Sequence, residues 1–264
     1  MNRIVVLIDF TEGCKVAIEQ AKVIAKYANA KIVALHFVTK NDNLNEVEKD
    51  LSLFTSNTMG EETNFETIIS AGELMHNAAA ELVRIDPMLV VVGTHGVKGI
   101  KQNLFGAHIL KLVQSIPFPC LVVQENTKVN TLGIKKILFP VGPHKSYAIK
   151  TAQTAMMAGI FDADIVQYEI ERPLIAPDPE LLKNMKDAKE FFQTSNNRFS
   201  EVKEDSKVIS VGYARQTINY AEENKFDIIS LMSDVPMEDA YIGRTDKENF
   251  LTNAAGIPVL CCNK

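Results

Sequence analysis

The chain has 264 residues, 46% of them hydrophobic and 23% charged, and a formal net charge of −5. That length suits about two domains of 100–200 residues each, with enough apolar content for two packed cores. No basic stripe stands out in either half, and no apolar run approaches the roughly 20 residues that span a bilayer, so neither nucleic acid nor a membrane is expected as a partner.

The first apolar run is Ile4-Val5-Val6-Leu7-Ile8-Asp9, directly after Met1-Asn2-Arg3. This start lacks the apolar core and small-residue cleavage site of a secretory signal, so a cytoplasmic location is expected. Both faces of the run are apolar, as in a parallel strand covered on two sides by helices. In chain order, the first half is expected to hold strands near 3–8, 31–38, 64–70, 88–92 and 119–124. Helices are expected near 12–28, 43–58, 72–84 and 106–115, from apolar residues at helical spacing. The acidic stretch Glu46 to Asp50 keeps Leu44, Val47 and Leu51 at that spacing, and Lys183 to Glu190 does the same with Leu181, Leu182 and Met185. Both are solvated helix faces.

The second half repeats this order. Ile137-Leu138-Phe139-Pro140-Val141-Gly142 matches the opening run, and Ala148 to Gly159 matches the helix from Val16 to Ala28. Ala163 to Tyr168 matches Lys31 to Val38, and Ser210-Val211-Gly212-Tyr213 matches Ser70-Ala71-Gly72-Glu73. The halves close on Phe118-Pro119-Cys120-Leu121-Val122-Val123 and Ile257-Pro258-Val259-Leu260-Cys261-Cys262. A repeat of half the chain in strand–helix alternation predicts a duplicated α/β fold. The expected domains are 1–126 and 134–264, divided by the polar, aperiodic stretch Gln124 to Gly133.

One pattern occurs only once. Leu89-Val90-Val91-Val92 runs into Gly93-Thr94-His95-Gly96, and Gly106-Ala107 follow where the next helix is expected. Glycines between a buried strand and a helix let the backbone approach an anion, and the free N–H groups of the helix start favour phosphate. Asp9, at the end of the first strand, has two roles open to it. It can cap the next helix, or accept hydrogen bonds from a ribose hydroxyl or an adenine amino group. Three strand ends carry candidate elements: Asp9-Phe10-Thr11, Val38-Thr39 and the glycine loop. In open parallel sheets ligands bind at such ends, where strand order reverses.

These residues resemble the universal stress protein family, whose signature G-x2-G-x9-G is met by Gly93, Gly96 and Gly106. The opening strand with Asp9-Phe10-Thr11-Glu12 and the closing Phe118 to Val123 are similar to that family too, and the resemblance covers both halves as tandem copies. It implies two five-stranded parallel α/β sandwiches, Rossmann-like and of the adenine nucleotide alpha hydrolase type, paired through their last strands as an internal pseudo-dimer. Such pairing would hide two sheet edges. Homodimerisation is left open. The resemblance also implies ATP, AMP or another adenine nucleotide, with or without magnesium. Asp9 would touch the base or ribose, and Val38 would line the adenine pocket through its backbone. Val92, Gly93, Gly96, Gly106 and Ala107 would surround ribose and phosphates, with His95 beside them.

Two departures matter. Ala107 replaces the hydroxyl residue of the family pattern, which removes a charge-assisted hydrogen bond of about 1.5–3 kcal/mol. Lys98 and Lys101 lie in the loop, either as solvated side chains or as partial compensation. In the second half Gly93 falls on Ser233, Gly96 on Pro236 and Asp9 on Gly142. Pro236 lacks an N–H, and Asp234, Glu238 and Asp239 repel phosphate. This half is expected not to bind. No Walker motif, H-E-x-x-H or G-x-S-x-G is present, and the five histidines show no metal-ligand spacing. The four cysteines, at 14, 120, 261 and 262, suit small buried hydrophobes in a reducing compartment. The expected function is therefore nucleotide binding in a stress response with little or no hydrolysis, the alternative being a nucleotide-free scaffold.

Overall fold

A computed structural model of the chain describes residues 2–60, 63–94, 106–142, 144, 146–171, 178–207, 211–234 and 244–263. The first half runs β1 (Arg3–Leu7), α1 (Glu12–Ala28), β2 (Lys31–Val38), α2 (Leu44–Met59), β3 (Phe65–Ala71), α3 (Leu74–Ile85), β4 (Leu89–Thr94), α4 (Gly106–Ser115) and β5 (Cys120–Gln124). The second runs β6 (Lys136–Pro140), α5 (Ala148–Phe161), β7 (Asp164–Glu171), α6 (Pro179–Thr194), β8 (Phe199–Asp205), α7 (Tyr213–Glu223), β9 (Ile228–Met232), α8 (Arg244–Leu251) and β10 (Val259–Cys262).

Local chemistry sets these boundaries. Thr11, in extended backbone, caps α1 by accepting the Cys14 N–H at 3.2 Å. Asn29, Asp86 and Asp162 end α1, α3 and α5 in the left-handed region, which short polar side chains tolerate. Gly72 and Gly212 hold φ of 118° and 83° at matching places in the two halves, where a side chain would be strained. That is why α3 starts at Leu74 rather than at residue 72.

All ten strands form one sheet in the order β3-β2-β1-β4-β5-β10-β9-β6-β7-β8. Each half is a five-stranded parallel sheet, and the halves meet through the antiparallel pair β5–β10. The register there sets Val122 opposite Val259, Leu121 opposite Leu260 and Cys120 opposite Cys261. Helices cover both faces, giving two apolar layers. One holds Ile4, Val6, Leu121, Leu260 and Cys262, and the other Val5, Leu7, Val122, Val259 and Cys261. Each layer crosses the seam. The adjacent cysteines 261 and 262 point into opposite layers, as alternation along a strand requires.

Polar side chains lock the seam from both ends. Gln124 Nε2 donates to the Leu251 carbonyl at 3.0 Å, and Asn263 Nδ2 to the Phe118 carbonyl at 2.8 Å. The stretch between the halves is not loose throughout. Thr127 is buried and Asn126 Nδ2 donates to the Ala254 carbonyl at 2.8 Å, while Lys128 and residues 130–132 are exposed.

Candidate functional site

In the first half the strand order reverses between β1 and β4, which lie side by side with Ile4 opposite Leu89. Beyond their carboxyl ends opens a cleft of about 400 Å³. Asp9, Phe10, His36, Asp42, Val92 and Gly93 contribute to its lining. Three of the expected site residues, Asp9, Val92 and Gly93, are thus brought together.

Asp9 is half-buried, and Thr11, not Asp9, caps α1. Asp9 Oδ1 accepts the Thr11 N–H at 3.1 Å and the Thr11 hydroxyl at 2.5 Å. These bonds fix the carboxylate and leave Oδ2 for other donors. Gly93 also has a different reason from the one the sequence suggests. Its φ is not positive, and it lies within β4. A methyl group there would run into the Gly13 carbonyl, and a Cβ on Gly13 would sit 2.6 Å from the Thr94 carbonyl oxygen. The two glycines let the first turn of α1 touch the end of β4. Gly13 was not singled out from the sequence, where its signal is a glycine in the first turn of an otherwise regular helix.

Val38 closes β2, its carbonyl accepting the Gly72 N–H at 2.8 Å, and it is not part of the cleft lining. Gly106 opens α4, and Ala107 behind it is half-buried. His95, Gly96, Lys98 and Lys101 lie outside the described residues. The sequence placed Phe10 at a candidate strand end without a role, and singled out neither His36 nor Asp42 as cleft residues. Phe10 adopts φ of 62° and sets its ring 4.7 Å from that of His36. His36 faces the α2 side of the sheet, and its Nδ1 lies 2.8 Å from the Ile8 carbonyl oxygen. At the mouth, Asp42 accepts the Thr39 N–H at 2.6 Å and the Thr39 hydroxyl at 2.8 Å. Those bonds hold its carboxyl below the usual range.

The cysteines offer no reactive thiolate. All four are free and buried, and burial pushes Cys14 up to about 12 and Cys262 to about 11.

At the corresponding place in the second half, the protein's own side chains occupy the strand ends. The Tyr147 hydroxyl accepts the Gly142 N–H at 2.6 Å and also bonds the Gly142 carbonyl. The Tyr213 hydroxyl donates to the Val141 carbonyl at 3.0 Å. Both rings are fully buried. Lys247 Nζ donates to the Met232 carbonyl at 2.8 Å and to the Asp234 carbonyl, at the exit of β9. Lys150 Nζ donates to the Pro140 carbonyl and lies 3.9 Å from the Phe139 ring centroid. His144 is buried with Asp234 Oδ1 at 3.8 Å, too long for a hydrogen bond. Burial, with Lys247 and Lys150 adding to it, therefore prevails and lowers the ring to about 3, keeping it neutral.

A doubly wound half with a cleft at its switch point, joined edge to edge to a second half of the same topology whose described strand ends carry buried tyrosines and lysines, defines an α/β protein of paired doubly wound units. Residues 1–124 match the sequence model of the universal stress protein family. Among solved structures, the chain is similar to a universal stress protein from Archaeoglobus fulgidus DSM 4304. The identity is 12% and the TM-score 0.70, covering 99% of this chain and 98% of that one. A functionally unknown protein from Pseudomonas aeruginosa PAO1 aligns at 16% identity and TM-score 0.61, over 100% of this chain and 92% of its own. The cytoplasmic domain of a prokaryotic cation chloride cotransporter aligns at 10% and 0.51, over 99% and 95%. At these identities the likeness is of fold. No curated protein matches the chain. No helix among the described residues is long and apolar enough to cross a membrane.

Proposed function

We propose that the first half binds an adenine nucleotide, ATP or AMP, as a signal in a stress response, with little or no hydrolysis. The second half is its structural partner. The observation that carries this reading is the contrast between two clefts of one fold. The first is open, with the Asp9 carboxylate fixed by Thr11 and Gly93 of β4 in its lining. At the second, among the described residues, the Tyr147 and Tyr213 hydroxyls are bonded to the backbone past the end of β6 and Lys247 is tied to the exit of β9. The fixed Asp9 carboxylate suits a ribose or an amino group, while Gly96, Gly106 and Ala107, with His95, would stand on the phosphate side. The reading takes the protein as cytoplasmic, with magnesium accompanying ATP if that is the nucleotide. It divides the chain into domains 1–126 and 134–264. The β5 and β10 edges are already paired, so any homodimer would have to use other surfaces.

Calorimetric titration with ATP and with AMP tests the reading. One site per chain is expected, with no ADP formed from ATP on the timescale of binding. Two equal sites would refute the assignment to the first half. No binding of either nucleotide would favour the scaffold alternative, which Ala107 supports by lacking the family hydroxyl.

A further inference from the structure

The open cleft contains a ring nitrogen to which no described residue is bonded. His36 stands near the end of β2, on the same face of the strand as Ala34. Its Nδ1 lies 2.8 Å from the Ile8 carbonyl oxygen. A carbonyl can only accept, so Nδ1 carries the proton, and in the neutral ring Nε2 is left as a lone-pair acceptor. No described residue donates to Nε2, and His36 lines the cleft. The contact with Ile8 fixes both the tautomer and the ring orientation.

Phe10 completes the wall. Its φ of 62° is a strained conformation for a bulky residue, and strain of this kind collects at ligand sites. The conformation lays the Phe10 ring against His36 at 4.7 Å and edge-on to Phe54 at 5.4 Å. The Phe10 side chain nevertheless remains 36% exposed, on the cleft side. An apolar ring surface beside a single oriented acceptor is a matched pair of features for a flat heteroaromatic ligand.

We propose that His36 Nε2 reads the base of the bound nucleotide, selecting one that presents an amino group to it over one that presents a carbonyl oxygen. This rests on the nucleotide reading of the same cleft. The exocyclic amino group of adenine donates to Nε2. The corresponding oxygen of hypoxanthine or guanine would face a lone pair, leaving two acceptors unpaired in a partly closed site. Sites built around a hydrogen bond reject ligands that cannot make it, because the buried group is then stranded.

The test is a set of binding titrations with AMP, IMP and purine riboside 5′-monophosphate, which lacks the amino group. The wild-type chain is compared with His36→Asn and His36→Phe. An asparagine amide nitrogen can stand where Nδ1 stands and keep the bond to Ile8, but nothing then replaces Nε2. The wild-type chain is expected to bind AMP about tenfold more tightly than either analogue, the effect of one hydrogen bond. In both variants AMP is expected to weaken about tenfold, to the level of the purine riboside, with thermal melting of the Asn variant unchanged. Equal binding of AMP and IMP by the wild-type chain overturns the proposal, as does an AMP preference that survives in a folded variant. Either result leaves the nucleotide reading standing. Failure of the wild-type chain to bind AMP at all takes down both.

Discussion

Lys150 is the most consequential buried charge in the second half. It sits in the first turn of α5, is 2% exposed, and donates to the Pro140 carbonyl above the Phe139 ring. Burial, reinforced by Lys247 and opposed by Cys262, pulls its pKa from 10.5 down to about 7. Between those values the unfolded chain binds a proton that the folded chain does not, so stability rises with pH and the gain is absent below pH 7. At about 1.4 kcal/mol per unit, Lys150 contributes about 2–3 kcal/mol between pH 7 and pH 9, and the four buried thiols, about half ionised in the unfolded chain at pH 9, offset part of it, leaving a net gain of about 1 kcal/mol. The window is bounded above by the cysteines. Their pKa values are raised by burial from 9.0, so stability falls again once the unfolded thiols ionise. Urea unfolding at pH 7 and pH 9, at constant ionic strength, reads the difference as a shift in midpoint. Lys150→Met should abolish the rise and be more stable than the wild-type chain at pH 7, because a methionine keeps the packing without a charge to desolvate. A wild-type midpoint that does not rise between pH 7 and 9, or a methionine variant with the same slope, would refute the reasoning.

Three further outcomes follow from the first half and the seam. Restoring a hydroxyl with Ala107→Ser should tighten ATP binding up to about tenfold, read by titration at equal salt; unchanged binding would mean that phosphate does not approach α4 there. Gly93→Ala forces a methyl against the Gly13 carbonyl and should destabilise the fold by about 1–3 kcal/mol in urea titrations; a neutral effect would show that α1 can move off β4 at little cost. Trypsin should open the chain between the proposed domains after Lys128, in the exposed stretch that ends at Leu132 (71% exposed), with the two fragments co-eluting through the β5–β10 seam. First cuts inside the helices or strands of either half would count against that division.

The architecture was legible because its signal is redundant. Every strand of the first half carries a continuous or alternating apolar run, and the second half repeats the order, so both helical layers could be anticipated, while the pairing of the last strands followed from the family resemblance. The strand ends were less legible. β4 continues through Gly93 to Thr94 because the glycine serves packing against α1 there, while the sequence invites its reading as the first residue of a loop. Of the candidate site, Asp9, Val92 and Gly93 could be placed by strand-end position. His36 could not, and Phe10 could be placed there but without its role. Their roles depend on a tautomer fixed by a carbonyl on the neighbouring strand and on a left-handed backbone at residue 10, and neither leaves a pattern in one sequence. Lys150 and Lys247 were equally silent. A lysine in an amphipathic helix is solvated far more often than it is buried, and only the fold reveals that these two point inward.

The asymmetry of the two halves has a physical logic. Duplication of an α/β unit with an exposed final strand leaves two edges, and pairing β5 with β10 removes both while fusing each apolar layer across the seam. Leu121 and Leu260 face each other fully buried, so neither half can separate without exposing the core of the other. Once the halves are fused, only one cleft has to remain open for a ligand. At the other, aromatic rings and lysines gather at the ends of β6 and β9, with most of their polar atoms bonded to backbone. The cost of that burial is concentrated in the desolvated ammonium of Lys150. The pH dependence of stability is therefore where the burial of that lysine can be measured directly, independently of any nucleotide bound by the first half.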